Sequence, residues 1–180
     1  MRPATLIPLI PPIAAITAIA VLALAACTPA LNWRKVQPEG AQLSLMFPCK
    51  PEREERAQPG PTGAPVTLRT LSCKAQGGQY SLTWTDLGDA AATSVAMRRM
   101  HEGLARQLAP GASAPLGVRG IAVDPQAFQQ VFQNRGGQPA QQVRQAVFSR
   151  DGRLYQLLMQ SERADPAAWD VFVGSVELPA

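Results

Sequence analysis

Apolar and polar residues alternate from Gln42 to Phe47, with Leu43, Leu45 and Phe47 on one face and Ser44 and Met46 on the other. A period of two marks a strand with one buried face, and Cys49 continues the apolar phase after Pro48. From Pro51 to Pro65 the pattern stops. Four prolines, two glycines and a Glu-Arg-Glu-Glu-Arg run leave no apolar period, which predicts a solvated loop. Alternation returns in Val66–Ala75 and Gln79–Asp86, on either side of Gly77-Gly78. A two-residue turn needs positive φ, which glycine supplies. A hairpin closed there sets Ala75 opposite Tyr80, Cys73 opposite Leu82 and Leu71 opposite Trp84, with Lys74–Ser81 and Ser72–Thr83 on the polar face. One face is apolar throughout, so the register is self-consistent.

The period then lengthens. Met97, Met100, Leu104 and Leu108 form a stripe within Ala91–Ala109, which predicts an amphipathic helix capped by Asp89 and ended by Pro110-Gly111. Leu116–Val123 reads as a strand. Gln126–Asn134 is ambiguous, because Asp124-Pro125 can start a helix carrying Phe128, Val131 and Phe132. The preferred reading is a strand leading through Gly136-Gly137 into another at Gln141–Ser149. Asp151-Gly152 is a strong two-residue hairpin signal that pairs Phe148 with Tyr155 and Ala146 with Leu157. Asp165-Pro166 supplies an N-cap and a first-turn proline. Trp169, Phe172, Val173 and Val176 follow at helical spacing, in a helix ending at Leu178-Pro179.

These elements predict an α+β fold: a mainly antiparallel sheet of about six or seven strands whose apolar surface is covered by two helices. The order strand, hairpin, helix, strands, helix resembles the PsbP-like α/β/α sandwich of small exported proteins. It is also similar to uncharacterised proteobacterial lipoproteins whose tails run as Leu154-Tyr155-Gln156-Leu157 and then Phe172 to Leu178. The resemblance covers Trp33 to Leu178, lies at the level of fold, and implies no functional residue.

Ahead of this domain the chain starts with one charge, Arg2, and an apolar stretch that runs to Ala26. Ile13–Ala26 is free of charge and proline for 14 residues, short of the roughly 20 a spanning helix needs. Extending it back to Leu6 brings in Pro8, Pro11 and Pro12, each costing a helix about 3 kcal/mol. A charged start, an apolar middle and small residues at its end are the plan of an export signal. Leu24-Ala25-Ala26-Cys27 resembles the lipobox of bacterial lipoproteins. That resemblance implies diacylglycerol on the Cys27 thiol, cleavage just before it, and acylation of the new amine. Thr28 stands where aspartate would favour inner-membrane retention, which implies an outer-membrane destination facing the periplasm. The expected organisation is a signal peptide over residues 1–26, a lipidated tether over 27–32 and one domain over 33–180.

Cleavage leaves 154 of the 180 residues, and loss of Arg2 lowers the net charge from +4 to +3. A domain of that size buries about 68–70% of its unfolded surface. The basic residues are scattered, without the clustered stripe and interleaved aromatics of a nucleic-acid face, so no nucleic-acid partner is expected. Arg34 and Lys35, next to the tether, offer weak attraction to anionic headgroups. Of the three cysteines, lipidation takes Cys27 and leaves Cys49 and Cys73. An even remainder in an oxidising compartment suggests a disulfide. A simple fold-back placing Leu43 against Cys73 would leave Cys49 about 20 Å away, well beyond the roughly 7 Å a bridge permits. A stagger pairing Cys49 with Cys73 removes the conflict; two buried free thiols are the alternative.

Reactive chemistry is sparse. His101 is the only histidine, which excludes a histidine-rich metal site, and it reads as a helix residue with no acid three or four positions away. No serine has the glycine context of a nucleophile elbow, and Cys49 and Cys73 lack redox spacing. Glu52, Glu54 and Glu55 are interleaved with Arg53 and Arg56 and lack the order of a calcium loop. Trp84, Tyr80, Phe148 and Tyr155 fall in register on apolar faces and read as core. The expectation is a membrane-anchored, non-catalytic accessory module with no cofactor or metal and an envelope protein as candidate partner. The alternative is a small-ligand or lipid-binding module with a pocket between sheet and helix, lined by Trp84 or Phe148. The contact surfaces that composition suggests are Pro51–Pro65 and the glutamine-rich Gln126–Gln145.

Overall fold

The computed structural model describes residues 31–119, 126–135, 141–163 and 165–179. The expected signal segment, the expected lipobox residues Leu24, Ala25 and Ala26, the expected lipidation site Cys27 and the expected Gly136-Gly137 turn lie outside the described residues. The fold is α+β. Nine strands run in the order β1 (Arg34–Val36), β2 (Leu45–Phe47), β3 (Glu52–Pro59), β4 (Pro65–Ala75), β5 (Gly78–Asp86), β6 (Ala109–Pro115), β7 (Phe128–Gln133), β8 (Gln142–Arg150) and β9 (Arg153–Ser161). Helix α1 (Ala90–Gln107) follows β5, and α2 (Pro166–Gly174) follows β9. Seven strands form one antiparallel sheet in the order β3-β4-β5-β9-β8-β7-β6, and β1 and β2 form a second, two-stranded sheet.

The core lies between one face of the large sheet and a layer made by β2 and α2. Tyr80, Leu82, Trp84, Phe148, Tyr155 and Leu157 meet Leu43, Leu45, Phe47, Trp169 and Phe172 in one cluster, each 2% exposed or less. Burying each large apolar side chain contributes about 1.5–3 kcal/mol. Phe172 is the hub, with its ring edge-on to Phe47 at 5.2 Å and to Tyr80 at 5.5 Å. Asp165 caps α2 through Ala168 N at 2.9 Å. The helix ends at Gly174, short of the expected Leu178. There Ser175 Oγ donates to Phe172 O at 2.9 Å and accepts from Met46 N at 2.9 Å, which ties the helix end to β2. On the opposite sheet face α1 packs Met97 over Val147 and Leu154. Residues Leu31–Ala180 cluster as one compact unit with a core of its own among the described residues, as an independently folding domain requires.

The β8–β9 hairpin has the expected register, Phe148 opposite Tyr155 and Ala146 opposite Leu157, about a turn with Asp151 at φ 51° and Gly152 at φ 74°. The β4–β5 hairpin differs. Its turn is Gln76-Gly77, at φ 48° and 73°, so Cys73 faces Tyr80 and Leu71 faces Leu82. The pairing has moved by two positions, an even shift, and each side chain keeps its face.

Pro51–Pro65 is not a loop. Residues Glu52–Pro59 form β3, paired along its length with β4. All eight of its residues are exposed, so an edge strand with neither face covered carries no apolar period. Leu116–Val123 is not a strand where described; residues 116–118 are irregular and Arg119 makes an isolated bridge to Glu177. The strand lies earlier, at β6, where the sequence suggested only a helix stop. Pro110 and Pro115 fit because an edge strand leaves some N–H groups unpaired. The register shifts between Pro110 and Ser113, and at Gly111 a Cβ would stand 3.2 Å from Val131 O. Gln126–Asn134 resolves as the strand β7.

Cys49 and Cys73 are bridged, with Cα atoms 6.0 Å apart. The conflict in register dissolves because β2 does not pair with β4 at all. The bridge instead fastens the segment after β2, in the second layer, to the large sheet.

Candidate functional site

Two surface features of the domain are concave enough to be candidate sites. The first is an open cleft of about 610 Å³ where β1, the approach to β2 and the C-terminal segment meet the β8–β9 turn. Ser44 and Glu177 exchange backbone hydrogen bonds, both 2.9 Å, across its floor. This fixes the Glu177 carboxylate, which accepts from Lys35 Nζ at 2.7 Å and Ser44 Oγ at 3.3 Å and lies 3.7 Å from Arg119 Nη1. The hydrogen bond from Lys35, then its charge, holds the Glu177 carboxyl below the usual carboxylate range. On the other wall Arg150 donates to Pro179 O and lies 3.2 Å from Asp151. Nearby, Arg153 reaches Gln42 Oε1 at 2.6 Å and Asp86 Oδ2 at 3.0 Å.

The chemistry of this cleft is that of matched charges. Glu177 is a weak proton acceptor because its anion is already stabilised. Tyr155, also in the lining, is buried, donates to Ala41 O at 2.8 Å and has its phenol pushed above the ordinary value by burial. Neither is poised for proton transfer near neutrality. The cleft offers amides, a hydroxyl and paired charges to a polar surface.

The second feature is a pair of grooves flanking α1. The narrower, about 140 Å³, runs between α1 and the β3–β4 end of the sheet, with Ala96, Arg99 and Met100 above and Leu68, Thr85 and Leu154 among its other walls. The wider, about 500 Å³, lies towards β6 and β7 and includes Met97, Arg98, His101 and Phe128. Thr85 is 3% exposed, and its hydroxyl has no hydrogen-bond partner among the described residues. Gln145 and Gln130 on the same sheet face carry unpaired amide atoms too. Leaving such a group unpaired costs about 1–3 kcal/mol.

His101 sits at the wider groove, its ring edge-on to Phe128 at 4.9 Å. The Glu52, Glu54 and Glu55 set is split by strand alternation: Arg56 takes Glu54 at 2.8 Å and Arg53 takes Glu55 at 2.6 Å. Among the described residues no three His, Cys, Asp or Glu side chains converge as metal ligands, and no helix is long and apolar enough to cross a membrane. Trp84 and Phe148 lie in the core and line neither groove. Of the residues singled out in the sequence, Cys49 and Cys73 are brought together. Neither Glu177 in the cleft nor Thr85 and Arg99 in the narrower groove was legible as a site residue, because each acquires its setting only when separate elements pack together. Compared with known proteins, the chain matches no family model and no curated sequence.

Proposed function

We propose that this chain is the precursor of a bacterial lipoprotein, cut before Cys27 and acylated there. It serves as a non-catalytic accessory module at the outer membrane, facing the periplasm. The observation that carries the reading is cysteine usage. Of three cysteines, two are joined in the domain, and the one left over is the last residue of Leu24-Ala25-Ala26-Cys27. A structural disulfide suits an oxidising compartment, and several acyl chains give stable anchoring at about 0.8 kcal/mol per buried methylene. A tether of a few residues keeps the domain close to the lipid anchor along the chain, which brings a membrane-bound partner within reach. Crosslinking the tagged protein in intact envelopes, beside a Cys27→Ala control, tests the accessory role. A stoichiometric partner lost in the control supports it; the same partner captured without the anchor contradicts it.

A second reading, a ligand-binding module, is favoured by one observation: the grooves beside α1, with the unpaired Thr85 hydroxyl inside the narrower. Its pocket lies between sheet and helix as that reading requires, with walls other than Trp84 and Phe148.

A further inference from the structure

We propose that the space beneath α1 binds a single-chain anionic amphiphile, of the class of a medium-chain fatty acid. Its carboxylate sits between Arg99 and Thr85, and its chain passes towards Phe128. The inference rests on the ligand-binding reading and names the ligand class for that site.

Shape comes first. Met100 lines the narrower groove and Met97 the wider, and both belong to one cluster with Val147 and Leu154 on the sheet. Between the grooves stand Met97 and Met100 with their sheet neighbours, and the two thioether side chains, unbranched and with three rotatable bonds, are the most adaptable filling a core contains. The narrower groove alone, at about 140 Å³, matches a cavity that holds a benzene-sized body. Joined to the wider one, of about 500 Å³, it falls within the roughly 300–1,000 Å³ of small-molecule sites. In this structure Met97 fills the space between the grooves, packed against Val147 and Leu154; displacing it would open a crosswise path beneath the helix, a shape for a chain rather than a compact ring.

Charge and hydrogen bonding then fix the head. Arg99 at the narrower groove is exposed and has no ion pair among the described residues. Glu102, the acid of the wider groove, lies 3.7 Å from Arg106, and Arg98 stands beside it. The narrower mouth thus presents an unpaired positive charge, whereas Arg98 and Glu102 offset each other at the wider one, and a guanidinium binds carboxylate with two parallel hydrogen bonds. Thr85, a wall of the same narrow groove, holds a buried hydroxyl without a partner among the described residues, which is assigned as a donor to a carboxylate oxygen.

The test uses the mature chain from residue 27 with Cys27→Ala, methyl-labelled at methionine, and sodium decanoate below its micellar concentration. The methyl signals of Met97 and Met100 are expected to shift saturably, while Met46 and Met159, placed on β2 and in the opposite core face, stay fixed. Arg99→Gln is expected to weaken binding about tenfold, as loss of a charge-assisted pair does, and Thr85→Val to weaken it in the same direction with unchanged near-ultraviolet circular dichroism. Decanol binding as tightly as decanoate, with Arg99→Gln silent, overturns the anionic-head assignment and leaves a ligand site standing. No saturable response to either probe, or equal shifts at all four methionines, overturns the assignment and the ligand reading together.

Discussion

Gln145 occupies the middle of β8 with no exposed surface, and neither its amide nitrogen nor its oxygen has a partner. Its cross-strand neighbour Gln130 has an unpaired oxygen as well. Replacing such a group with an apolar one of similar size removes the desolvation penalty, so Gln145→Leu is expected to stabilise the domain by about 1–2 kcal/mol, measured by urea unfolding. Glu177 gives the opposite kind of residue. Its folded value is depressed below the ordinary 4.5, first by the Lys35 hydrogen bond. The stabilisation is therefore complete above that pH and lost as the pH falls through the folded value. Glu177→Gln is expected to flatten the acid limb of a stability–pH curve without changing the neutral plateau's shape. Both tyrosines are 1% exposed, and burial raises both phenols above 10.0, helped at Tyr80 by the charge of Asp165. Stability is full below pH 10 and falls as pH rises from there towards the folded values. Tyrosinate absorbance should accordingly appear together with loss of tertiary circular dichroism; tyrosinate forming first, in an intact fold, would contradict the burial.

The two helices are held very differently. In α2, nine residues long, Ala168, Trp169, Phe172 and Val173 are buried, whereas α1 buries only Ala92, Thr93 and Met97 in 18 residues. Few buried apolar contacts mean cheap local opening, so amides of α1 are expected to exchange with solvent well before those of α2, β5 and β9. Asp89 accepts from Ala91 N at 3.0 Å and Ala92 N at 3.1 Å; Asp89→Ala should cost about 1 kcal/mol and accelerate that exchange. The elements with one buried face could be read from sequence. Period two gave β2, β5, β8 and β9, and period 3.6 with Asp-Pro gave α2. Parity survived even where the turn was misplaced, because Leu71, Cys73, Tyr80 and Leu82 must all face inward whichever residues close the hairpin. The edges could not be read. β3 and β6 hold their places chiefly through main-chain pairing, and Glu52–Pro59 or Ala109–Pro115 display no pattern that main-chain pairing would leave in side chains. The candidate grooves share that opacity, since Thr85 and Arg99 acquire meaning only when β5 and α1 are laid side by side.

At the scale of the molecule, the Cys49–Cys73 bridge closes a 24-residue separation between the second layer and the large sheet. Constraining the unfolded chain over such a loop stabilises by about 3–4 kcal/mol; the Cys49→Ala/Cys73→Ala double variant is expected to lose that amount in chemical unfolding. The bridge also leaves Cys27 as the one cysteine available for another purpose, and the account turns on it. The most direct measurement is the intact mass and N-terminal peptide of the protein isolated from membranes of a Gram-negative host. Lipidation at Cys27 predicts a chain beginning at that residue, heavier than its residues by a diacylglyceryl group and an acyl chain, and a Cys27→Ala variant that is neither cut at that position nor lipidated. A mature chain starting elsewhere, or an unmodified Cys27, would contradict it.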